Sequence, residues 1–239
     1  MEYNKVKCIS IIFLTISLRV LNGQTVTDID GNIYRTVTIG TQTWMAQNLK
    51  VTKYNDGTSI PLVTDGNLWA TPLTPGYCWY NNDESGFREL YGALYNWYVL
   101  DSAISGGRKV CPEGWHLPDN SEWTILTEFL EKNGYGYGNS GNDVAKSMAS
   151  STGWTADLIP GNIGNSQEEN NRSGFDAPPS GYRDFDGTFD SIGGYCGWWC
   201  SMQYDADNAW SQVLIYCSDN AGIYEYSKQV GFSVRCIKD

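Results

Sequence analysis

The chain has 239 residues and a formal net charge of −11, from 16 basic and 27 acidic side chains. That balance argues against binding nucleic-acid phosphates, which needs clustered Lys and Arg, and against adhesion to an anionic bilayer. Tyr, Trp and Gly are abundant at 16, 10 and 26 residues, which speaks against disorder and for short strands with structured loops.

The first element reads as a leader. Lys5 and Lys7 precede an apolar run over residues 9–18, and small or polar residues then lead to Gly23-Gln24. This order fits a signal peptide, and the run is too short to span a bilayer. Cleavage near Gly23 is expected to leave residues 24–239 as one domain, secreted or at the cell surface. The alternative is retention as an amino-terminal anchor. Cys8 stands before the apolar run, where it is badly placed for lipid attachment. Losing Lys5, Lys7, Arg19 and Glu2 takes the net charge from −11 to −13. No later segment is apolar enough to cross a membrane. Cys78, Cys111, Cys196, Cys200, Cys217 and Cys236 remain, an even count that reads as a disulfide set in an exported chain. A zinc site ranks below this reading, because Cys-x-x-Cys knuckles are missing and His116 is the only histidine.

Residues 25–49 read as a β region turned at Asp30-Gly31, with a second turn near Gly40. Asp28-x-Asp30-Gly31-Asn32 superficially resembles a calcium loop, but its twelfth position is Ile39 where a bidentate Glu is needed, so the turn reading wins. Residues 53–88 are rich in turn formers and hold a short strand at Tyr77–Tyr80. Leu90, Leu94, Trp97 and Leu100 recur at helical spacing, which predicts a first helix over Glu89–Asp101. Pro118 followed by Asp119 and Glu122 forms a capping-box signature, and Trp123, Leu126, Phe129 and Leu130 make an apolar stripe, predicting a second helix that ends at Asn133-Gly134. A short helical piece at 144–149 follows a glycine-rich stretch. Residues 153–194 are mainly loop, with a strand fragment at Gly181-Tyr182-Arg183 and a formal glycosylation sequon at Asn171-Arg172-Ser173. Strands are predicted at 197–201, 209–216 and 231–237. In the second of these, Trp210, Gln212 and Leu214 alternate with Ser211, Val213 and Ile215.

Two strings, Cys111-Pro-Glu-Gly-Trp-His-Leu-Pro-Asp-Asn-Ser-Glu-Trp123 and Gly231-Phe-Ser-Val-Arg-Cys236, resemble the Fibrobacter succinogenes major paralogous domain family. Ile39-Gly-Thr-Gln-Thr-Trp-Met-Ala-Gln-Asn-Leu49, Tyr77-Cys-Trp-Tyr-Asn-Asn-Asp83 and Tyr91-Gly-Ala-Leu-Tyr-Asn-Trp97 fit the same pattern. The resemblance covers residues 25–239. It implies an α+β, C-type-lectin-like fold, with two helices, a small antiparallel sheet joining the termini and a long loop region. It also implies an exported or surface protein of a Bacteroidetes-type bacterium, and a Cys111–Cys236 bridge, since both cysteines lie in the motifs. The calcium-site motifs of sugar-binding C-type lectins are missing, and Asp205-Ala206-Asp207-Asn208-Ala209-Trp210 is only loosely similar to one of them. Sugar binding through calcium is therefore not expected.

Catalytic groups are sparse. His116 lies between Trp115 and Leu117, where a packed, hydrogen-bonded role is expected. No Gly-x-Ser-x-Gly nucleophile setting occurs. Residues 117–123 are similar to a stretch of the formylglycine-generating, sulfatase-modifying enzymes, whose paired cysteines hold copper. Cys196 and Cys200 are the nearest candidates here, with structural disulfide cysteines as the competing reading. Asp184/Asp186 and Asp205/Asp207 read as turns before they read as glycosidase pairs. The favoured expectation is a module without cofactor that binds an extracellular protein or glycan. Its site would be Tyr204, Asp205, Asp207, Asn208, Ser218, Asp219, Asn220, Tyr224 and Tyr226, residue types suited to binding surfaces, with Ser227 beside them. A structural surface or adhesion component is the remaining alternative.

Overall fold

The computed structural model describes residues 24–71, 73–138 and 143–239. The expected leader, residues 1–23, and part of the glycine-rich stretch lie outside the described residues. Thr25–Thr27 (β1), Ile33–Ile39 (β2) and Gln42–Met45 (β3) form an antiparallel meander. The Asp28 carboxylate sets its first turn, accepting from the backbone N–H of Asp30 (3.0 Å) and Asn32 (2.9 Å) and from the Tyr34 hydroxyl (2.6 Å). Asp28 is thus buried and turned inward, as a turn residue.

Tyr77–Cys78 (β4) pairs with Leu94–Tyr95 (β5). There follow Trp115–His116 (β6), Ser180–Arg183 (β7), Phe189–Ile192 (β8), Tyr195–Gln203 (β9), Asn208–Ile215 (β10), Gly222–Ser227 (β11) and Ile237–Lys238 (β12). Two five-stranded sheets result, ordered β1-β2-β3-β12-β6 and β11-β10-β9-β7-β8. In the second sheet β7 runs parallel to β9, with Gly181 opposite Cys196. The helices are Gly66–Ala70 (α1), Glu84–Tyr91 (α2), Ser102–Ser105 (α3), Asn120–Lys132 (α4) and Ala145–Met148 (α5).

This architecture overturns the expected fold class. The chain is mostly β, two curled sheets with few helices, and not a two-helix C-type-lectin-like α+β domain. The second predicted helix does form as α4. Its capping box is complete, with Asp119 Oδ1 accepting from Glu122 N at 3.0 Å and Glu122 Oε2 accepting from Asp119 N at 2.9 Å. The first predicted helix does not form. α2 stops at Gly92, which sits at φ 74°, where a Cβ would stand 2.7 Å from the Leu49 carbonyl oxygen. Beyond it, Tyr95 and Phe232 exchange backbone hydrogen bonds of 2.8 and 3.1 Å, so the chain is extended at Leu94–Tyr95, and only a single 3-10 turn at Trp97–Val99 follows. Leu90 is exposed, Leu94 packs near Trp69 and Tyr80, and Trp97 joins Trp199 in another cluster. Their regular spacing therefore does not mark one face of one helix. The strand expected at 231–237 is reduced to single bridges and β12, while β11 forms where turns were expected.

The main core lies between α4 and both sheets. Trp44 and Trp123 have ring centroids 4.6 Å apart, and Trp123 and Trp198 are 5.8 Å apart with Phe175 edge-on to each. Such aromatic pairs contribute about 0.5–1.5 kcal/mol each beyond their buried area. Arg235 is fully buried in this core, its guanidinium 4.3 Å from Phe175 and 5.3 Å from Trp198. It donates to Asn48 Oδ1 at 2.9 Å and to the Phe175 carbonyl, and burial pushes its pKa down to about 9. Arg183, also fully buried, bonds the carbonyls of Gly187 (3.0 Å), Val63 (2.6 Å) and Thr64 (3.2 Å). Lys146 does the same for Ser166 (3.0 Å) and Asn170 Oδ1 (2.9 Å). A buried cation needs acceptors, and a long loop has spare carbonyls. These residues hold the irregular segments on the sheets.

Cys111 and Cys236 form a disulfide with a Cα separation of 5.9 Å. The expectation of a full disulfide set fails. Cys78, Cys196 and Cys200 are buried free thiols and Cys217 is an exposed one. Cys196 and Cys200 lie on one face of β9, four residues and therefore about 13 Å apart, beyond disulfide reach.

Candidate functional site

The second sheet has two faces because its side chains alternate. Cys196, Trp198 and Leu214 point to the α4 core, while Tyr195, Trp199, Ala209 and Val213 point the other way. Gly197 lies between Tyr195 and Trp199 on that second face. A Cβ on Gly197 would meet Phe232 Cδ1 at 2.9 Å, so the glycine makes room for the Phe232 ring across β9. Phe232 then lies nearly parallel to Tyr195 (5.9 Å, 20°) and 4.9 Å from Trp199.

Two further tyrosines stand against this pair. Tyr182 on β7 is edge-on to Tyr195 (5.3 Å, 69°) and to Phe232 (6.0 Å, 72°). Tyr226 on β11 is edge-on to Phe232 (5.0 Å, 86°) and to Tyr195 (6.5 Å, 78°). A second glycine brings the remaining wall close. At Gly181 (φ 61°) a Cβ would stand 2.6 Å from the Asp190 carbonyl oxygen, so only glycine lets β8 approach and set Ser191 beside Tyr182. The result is a pocket of about 250 Å³ lined by Tyr182, Tyr195, Tyr226 and Phe232, with Val230, Asp184 and Ser191 completing it. Burial pushes the Tyr182 and Tyr195 hydroxyls up, so both stay protonated donors at neutral pH. The buried Tyr195 hydroxyl forms no hydrogen bond of good geometry among the described residues. Larger hollows of about 630, 440 and 370 Å³ have mixed linings and no such convergence of rings.

The nine expected site residues do not form one patch. Tyr204, Asp205 and Asp207 belong to the β9–β10 turn and Asn208 opens β10, while Ser218, Asp219 and Asn220 belong to the β10–β11 turn. The eight residues of β10 separate these turns by about 26 Å. Asp205 Oδ1 accepts from Asp207 N (2.9 Å) and Asn208 N (2.8 Å), and the hydrogen bonds from Asn208 and Asp207 lower its pKa. Tyr204 is half-exposed and edge-on to Trp210 at 4.9 Å. Asn220 N donates to Ser218 Oγ at 3.1 Å, and the Asp219 carbonyl accepts from Ala145 N. Tyr224 is exposed on β11, and Tyr226 alone of the nine enters the aromatic pocket. Tyr182, Tyr195 and Phe232 are not expected at the binding site from the sequence, and Asp184 enters there only as half of a carboxylate pair with Asp186. The usable signal was the alternation Tyr195/Gly197/Trp199, in which one glycine breaks a run of aromatic residues.

The other chemical candidates are accounted for locally. His116 Nδ1 lies 2.7 Å from Asp239 Oδ1 and Nε2 lies 2.8 Å from Glu122 Oε1, so both ring nitrogens are bonded. Burial pulls its pKa down, but the bonds to Asp239 and Glu122 outweigh this and the net shift is upward. Burial raises the Cys196 and Cys200 thiols, Cys200 to about 12, and their separation along β9 is too great for a shared copper ion. Asp186 Oδ1 accepts from Thr188 N at 2.9 Å, as a turn residue does. The Asn171 amide of the sequon is tied to Asp176 in both directions at 2.9 Å.

The family model of the Fibrobacter succinogenes major domain matches residues 37–238. The chain belongs to that family. No curated protein and no solved structure matches the chain. The Fibrobacter succinogenes major domain thus includes α4, both disulfide cysteines and every wall of the pocket. The motifs quoted for it meet in space, Asn48 with Arg235, Cys111 with Cys236, and His116 with Glu122. Asn48, which also accepts from Trp198 Nε1, ties this cluster to β9, and Phe232 alone among these motif residues lines the pocket. No helix among the described residues is long and apolar enough to cross a membrane.

Proposed function

We propose that this domain is an exported or cell-surface binding module that recognises an extracellular protein or glycan through its carboxyl-terminal sheet, without calcium. The observation that supports this reading is the tyrosine-walled pocket, a set of rigid rings with hydroxyl donors at the outer face of a braced sheet. Tyrosine offers large contact area at low entropic cost, and its hydroxyl adds direction. A glycan array and a panel of extracellular proteins, probed in EDTA, test it. Saturable binding is expected, weakened by roughly tenfold or more in Tyr182→Ala/Tyr226→Ala and retained in Tyr204→Ala. Absence of saturable binding, its loss in EDTA, or equal binding by the pocket variant would overturn the proposal.

A further inference from the structure

We propose that the pocket between Tyr182 and Tyr226 takes a quaternary ammonium group. This rests on the binding reading above and names the chemistry of its site.

Shape carries the first part of the argument. Sugars stack on open ring faces, but Tyr195 and Phe232 are only 9% and 1% exposed, so the pair presents little flat surface. What faces solvent is a recess of about 250 Å³ with rings set at 69° to 86° to its floor. Rings on several sides of one small volume direct their negative π faces and hydroxyl oxygens at whatever occupies it.

Charge carries the second part. Asp184 lines the pocket, its carboxylate accepting from Phe185 N at 2.7 Å, Asp190 adds negative charge beside Tyr182, and neither has an ion-pair partner among the described residues. The adjacent cation, Arg183, is turned away to the carbonyls of Val63, Thr64 and Gly187. The recess is therefore aromatic and uncompensated in charge, on a chain of net charge −11. A primary ammonium would have to give up the strong hydration of its three N–H donors on entry. A fully alkylated nitrogen brings none, so burying it leaves no donor unpaired.

Calorimetric titration with choline chloride and with its neutral isostere, 3,3-dimethylbutan-1-ol, tests the inference. Choline is expected to saturate one site, with the isostere about tenfold weaker or more. Tyr226→Phe, which keeps the ring, should stay within about threefold of the parent, whereas Tyr226→Leu and Asp184→Asn should each weaken choline by about fivefold to tenfold. Equal binding of choline and isostere, no saturable choline binding by folded protein, or an unchanged ratio in Asp184→Asn would overturn it. Glycan or protein binding that persists when choline fails would remove the cation and leave the binding face standing. Loss of both would remove both.

Discussion

His116 sits between the carboxylates of Glu122 at the start of α4 and Asp239 at the chain end, and links the two. Its folded-state pKa lies above the ordinary histidine value, because the two carboxylates outweigh the effect of burial. A group raised in this way stabilises fully below its unfolded pKa, and the contribution disappears as pH rises through the folded value. Compared with His116→Gln, the parent protein should therefore hold an advantage in melting temperature at about pH 5.5 that shrinks by about pH 8.5. Thermal melts across that range check it, and a constant difference would show that the imidazole does not titrate in place. Arg235 is the opposite kind of residue. It is a cation sealed between Phe175 and Trp198, with oxygens as its hydrogen-bond partners, and Lys does not share the planar fork that fills that space.

At the scale of elements, two glycines shape the pocket sheet more than any large side chain does. Gly181 admits β8 and Gly197 admits Phe232. In Gly197→Ala the new methyl meets a ring held by Tyr226, Tyr195 and Trp199, so that ring cannot simply swing aside. The substitution should destabilise by about 1–3 kcal/mol in denaturant melts and lower affinity at the pocket. A neutral effect on both would mean that the sheet relaxes around the methyl. Elements governed by neighbours in sequence were legible in advance: the Asp30-Gly31 turn, the Asp119/Glu122 cap of α4 and the short helix α5. The stretch Glu89–Asp101 misled, because Ala93 and Tyr95 bond the backbone of Leu49 and Phe232 and Trp97 packs with Trp199, partners that lie far away in sequence.

For the whole molecule, which residues share a surface is a matter of sheet order, and sheet order was not legible. Tyr226 was singled out for its type, whereas Tyr182, Tyr195 and Phe232 meet it only because β7 and β11 lie on either side of β9 and β10. The count of cysteines misled for the same reason, since an even number fixes no distances. Over residues 24–239 a thiol reagent should titrate Cys217 in the native protein, and Cys78, Cys196 and Cys200 only after unfolding. Breaking the bridge with Cys111→Ser/Cys236→Ser should cost about 2–5 kcal/mol. A denatured-state count without Cys78, Cys196 and Cys200 would contradict the pairing.

That bridge joins residues 125 apart in sequence, and β7, β8, β9, β10 and β11 all fall inside the loop it closes. Tension applied between the two chain ends passes from Cys236 straight to Cys111 through a covalent bond. The amino-terminal strands can be peeled away under such a pull, yet the covalent path bypasses the segment carrying the aromatic recess while the sulfurs stay joined.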